Sequence, residues 1–63
     1  MKNKTLRVAR TLQGKRKQLY DCYGIEPIVE TAHWLCVAFG ISLYEAYEKI
    51  YELHLERLVR YEL

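Results

Sequence analysis

Residues 27–45 read PIVETAHWLCVAFGISLYE, and this stretch decides the fold. Pro27 suits the first residue of a helix, where its missing N–H is not needed. Gly40 suits the left-handed residue that closes a helix. Ser42-Leu-Tyr-Glu45 is a capping box: the Ser42 hydroxyl can accept from the Glu45 backbone N–H, and the Glu45 carboxylate from the Ser42 N–H. Ile41, just before the cap, can staple the helix start against Ala46. The stretch is therefore one helix, a turn and the start of a second. So short a turn makes the pair an antiparallel hairpin.

The first of these helices is predicted over 27–39. Ile28, Ala32, Leu35, Cys36 and Phe39 form one apolar stripe. Val29, Trp34, Val37 and Ala38 cover most of the other sides, as in a helix that is buried all round. The second is predicted over 42–60, with no Gly or Pro to interrupt it. Glu45, Glu48, Lys49, Glu52, Glu56 and Arg60 make a polar stripe. Glu45–Lys49 and Glu56–Arg60 stand in the favoured order four residues apart. Its apolar arc, from Leu43 and Tyr44 through Tyr47, Ile50, Tyr51 and Leu55 to Leu58 and Tyr61, is wider than one packing partner needs.

Upstream, Thr5 to Leu12 alternates, with Leu6, Val8 and Leu12 on one face and β-branched residues in excess. The pattern favours a strand over about 5–12, a basic helix being the alternative. Residues 13–18 read as a basic loop and 19–24 as a turn region. A lone strand has no partner within the chain and would pair with its copy across a two-fold axis. The expected fold class is mainly α (small α+β): an N-terminal strand followed by a two-helix hairpin, in an intertwined homodimer.

Length and composition point the same way. Sixty-three residues allow one domain. A domain of this size buries only roughly 60% of its unfolded surface and commonly needs a staple or a second subunit. Half of the chain is apolar, and six residues are Tyr. Leu35, Phe39, Tyr47, Ile50, Leu55 and Leu58 are the expected core and dimer contacts. Cys22 and Cys36 have no Cys-x-x-Cys spacing and read as free thiols of a reducing, cytoplasmic setting. The basic start leads into no apolar run, so neither a signal peptide nor a membrane span is expected.

Charge is sorted along the chain. Residues 1–20 carry seven bases and no acid, whereas 21–63 carry three bases and all eight acids. The basic end can meet nucleic acid or the acidic face of another copy. Lys15, Arg16 and Lys17, backed by Lys2, Lys4, Arg7 and Arg10, are the candidate nucleic-acid contacts. The hairpin itself has the outline of a helix-turn-helix, but its second helix would present Glu45, Glu48 and Glu52 to phosphates, which costs affinity.

No enzyme is expected. The chain has no Gly-rich phosphate loop and no Ser/His/Asp arrangement. His33 and Cys36 make a two-ligand fragment at most, so no metal and no cofactor is expected. The aromatic side chains carry more information. Trp34, Tyr44, Tyr47 and Tyr51 are the candidate partner-binding residues, lining a groove that would accept an amphipathic helix from another protein.

With a basic, β-prone start (Thr5 to Leu12) and a C-terminal hairpin (Pro27 to Phe39, then Ser42 to Arg60), the chain resembles the small early protein of lambda-like temperate phages, encoded between the exonuclease and excisionase genes. The resemblance rests on length and layout over the whole chain. It implies a strand-plus-two-helix homodimer with a pro-lytic role, and carries over no catalytic or binding residue. The expected function is a regulatory adaptor that binds a host or phage protein and favours lytic development. The alternative is a small nucleic-acid-binding regulator using the basic segment.

Overall fold

A computed structural model describes residues 8–62, with side chains to Leu58. Three helices make up the fold: α1 (Leu12–Tyr23), α2 (Ile25–Phe39) and α3 (Leu43–Glu62). Lys15 contacts Glu48, and Tyr23 contacts His54. α1 and α3 therefore run in the same sense, with α2 returning between them. The body measures 37 × 20 × 20 Å.

The hairpin forms as its sequence dictates. The Glu45 N–H donates to Ser42 Oγ at 3.1 Å, and the Ser42 N–H reaches Glu45 Oε1 at a longer 3.5 Å. Gly40 takes φ 64° and ψ 35°, and its N–H closes α2 on the Cys36 carbonyl at 2.9 Å. That left-handed geometry penalises any residue with a Cβ. α2 begins two residues before Pro27, which still falls in the first turn, where its ring is tolerated.

The basic stretch 13–18 is not a loop. It lies inside α1, which Thr11 caps: the Thr11 hydroxyl accepts from the Gly14 N–H at 3.0 Å. Lys, Arg and Gln are good helix formers. Leu12 and Leu19, two turns apart, turn one face of this helix to the core. Residues 19–23 complete the same helix, and Gly24, at φ 96°, is the single residue joining it to α2. Of the strand expected over 5–12, residues 5–7 lie outside the described part. Residues 8–11 form no strand, and Leu12 opens α1.

The core is small. Leu19, Ile28, Ala32, Ala46, Tyr47, Ile50 and Tyr51 are its buried members. Leu35, Cys36 and Leu55 pack against it half-buried. Leu58 is also half-buried. Phe39 differs from expectation: it is the last helical residue, one turn beyond Leu35, and stays 68% exposed. α1 and α3 both pack against α2, burying Ile28 and Ala32 and leaving Val29, Trp34, Val37 and Phe39 exposed.

Candidate functional site: an apolar band across α2

The uncovered side of α2 is built from an apolar helix on which only one row is needed inside. Trp34 and Val37 are 70% and 72% exposed. Residues spaced three and four apart share a helix face. Trp34, Val37 and Ala38 therefore stand together, and with His33 they line one hollow. A second hollow lies on the other side of Trp34, against Glu30, Thr31 and Leu35. Thr31 and Leu35 in turn border a groove between α2 and α3, with Ile28, Ile50 and Leu53 along it. The second hollow shares Trp34 with the first and Thr31 and Leu35 with the groove, so the three run as one band, with the Trp34 ring as a ridge between the first two.

Tyr23, His54 and Arg57 edge the groove. His54 is 5% exposed. Its Nδ1 lies 2.9 Å from the Tyr23 hydroxyl, and its ring packs against both Tyr23 and Tyr51. Burial, with the Arg57 charge adding to it, pushes the imidazole pKa below the usual histidine value.

The four aromatic candidates do not form one groove. Tyr47 and Tyr51 are buried, at 3% and 2% exposure, and belong to the core. Each phenol has a polar tether that makes burial possible. Tyr47 Oη meets Tyr20 Oη at 2.8 Å. Tyr51 Oη accepts from the Ala9 N–H at 2.8 Å and donates to Gln18 Oε1. The other two are exposed but apart. Trp34 belongs to the α2 band, whereas Tyr44 lies beside Lys15 and Glu48. Phe39 and Leu43, also exposed, flank the α2–α3 turn.

The basic triplet is likewise divided. Lys15 Nζ pairs with Glu48 Oε2 at 2.9 Å. That hydrogen bond raises the ammonium pKa and lowers the carboxylate's. Arg16 lies over the rings of Tyr20 and Tyr47 at 5.8 and 5.2 Å and donates to the Tyr20 hydroxyl. The hydrogen bond with Tyr47, with Arg16 alongside, lowers the Tyr20 phenol pKa, while burial raises that of Tyr47. Lys17 is exposed. The basic end thus meets acid within its own chain at one position only among the described residues, Lys15.

Sequence reasoning missed Val37, Leu53 and the groove. The signal available was α2 itself, apolar on more sides than a hairpin can cover. Among the described residues no group of three or more His, Cys, Asp or Glu side chains is placed to hold a metal ion. No described helix is long and apolar enough to cross a membrane. The geometry is that of a small three-helix bundle with an open apolar face on α2. No protein-family model, curated protein or solved structure matches the chain.

Proposed function

We propose that the chain is a non-enzymatic, self-associating adaptor. The α2 band receives a second copy, and the residues at the hairpin turn, Phe39, Leu43 and Tyr44, contact another protein. The observation that carries this reading is the Trp34 ridge. A large aromatic standing 70% exposed between two hollows is a knob beside its own kind of hole. Such a face can meet a second copy of itself across a two-fold axis, in an isologous interface. Burying the Trp34 and Val37 side chains against a second copy contributes about 1.5–3 kcal/mol each, enough to matter for a domain of marginal stability. On the resemblance to the phage early family, the second partner is a host or phage protein, and its binding favours lytic development.

The partner claim is tested by affinity capture from nuclease-treated bacterial lysate with the wild type and with Tyr44→Ala. A discrete protein retained by the wild type and lost with Tyr44→Ala supports the adaptor. Capture of nothing, or capture unaffected by Tyr44→Ala, removes the turn residues from the partner surface.

A further inference from the structure

α1 carries a second surface that shares no lining residue with the α2 band. Gln13, Arg16, Lys17 and Tyr20 surround a shallow hollow on its outer side, with Asp21 at one edge. Arg10, also exposed, sits just before the helix. Of the four described cations here, Arg10, Lys15, Arg16 and Lys17, only Lys15 is neutralised by a carboxylate. Arg16 is held over two tyrosine rings, which orient a guanidinium without cancelling its charge. Asp21 is the one acid on α1, while Glu26, Glu30, Glu45, Glu48, Glu52 and Glu56 stand on α2 and α3. α1 is thus mainly basic, while most acids stand on α2 and α3, with Lys49 and Arg57 among them on α3. In the sequence, Lys2, Lys4 and Arg7 precede this surface.

We infer that this face of α1 binds the phosphate backbone of nucleic acid without reading sequence. An oriented guanidinium can take a phosphate through two N–H groups. Lys17 and Arg10 add point charges on either side, and the Gln13 amide can donate to a phosphate oxygen. Because the surface is separate from the α2 band, a self-associated form would present two such faces at once. The inference therefore holds whether or not the α2 band is the dimer contact.

Fluorescence anisotropy with a short, labelled, mixed-sequence DNA duplex tests it. Three phosphate contacts, from Arg10, Arg16 and Lys17, predict an affinity loss of about 40-fold between roughly 50 and 200 mM salt. Lys17→Glu should weaken binding and lower the logarithmic salt slope by about one. Lys49→Glu on α3 makes the same change in net charge and should leave affinity and slope as they were. Lys and Glu are both good helix formers, so both variants fold, which far-UV circular dichroism checks. No binding at low salt overturns the inference, as does an equal loss from Lys17→Glu and Lys49→Glu.

Discussion

Tyr51 of α3 accepts the backbone N–H of Ala9 at 2.8 Å and so ties the segment before α1 to the centre of the bundle. The same hydroxyl donates to Gln18 on α1. One buried phenol thereby holds two parts of the chain that lie more than thirty residues away from it in sequence. Tyr51→Phe keeps the ring and removes both bonds. Leaving the Ala9 N–H without this acceptor should cost about 1–3 kcal/mol. Urea unfolding followed by circular dichroism measures it. A midpoint equal to the wild type would mean that water serves the Ala9 N–H equally well.

The Thr11 cap tests whether the basic stretch is a helix by its own chemistry. Thr11→Ala removes the acceptor of the Gly14 N–H. The expected loss is about 1 kcal/mol, with fraying confined to the first turn of α1. Amide hydrogen exchange at Gly14 and Lys15 should speed up, while exchange in α3 should change only as global stability does. Unchanged exchange at Gly14 would contradict the cap.

His54 gives the bundle a pH dependence whose sign can be worked out. Its pKa in the folded chain lies below the ordinary histidine value of 6.5, because the ring is buried, with the Arg57 charge adding to it. The unfolded chain then takes up the proton more readily. Stability is fully present above about pH 6.5 and falls as the pH drops towards the folded pKa, below which this loss stops. Glu48, whose pKa Lys15 lowers, adds a separate loss only as the pH falls below the ordinary glutamate value of 4.5. His54→Gln should flatten the first window and leave the second. Thermal melts at a series of pH values separate the two, and an unaltered profile in His54→Gln would show that the histidine is not its source.

Much of the hairpin was legible because its signals are local. Gly40, Ser42 and Glu45 each act within one turn, and the structure uses all three as their chemistry suggests. α1 was misread because Lys15, Arg16 and Lys17 resemble a solvated loop when counted as charges. The Thr11 cap and the Leu12–Leu19 spacing were the helix signals, and an alternating stretch just upstream competed with them. Tyr47 and Tyr51 could not be told from Trp34 and Tyr44 by residue type. What separates them is which tyrosine finds a polar partner across the bundle, a long-range property. The α2 band escaped for the same reason: its hollows arise only once α1 and α3 have covered part of α2 and left the rest open.

The central claim is that the open face of α2 is a self-association surface, and Trp34 is its most direct test. Sedimentation equilibrium of the wild type and of Trp34→Glu, over a range of concentrations, reads the mass directly. Trp34 is 70% exposed in the single chain, so the variant should keep its helical circular dichroism. The account predicts a wild-type mass of twice the 7.6 kDa chain and a variant held at the single-chain mass. A wild type that stays monomeric at every concentration, or a Trp34→Glu variant that remains dimeric, would contradict it.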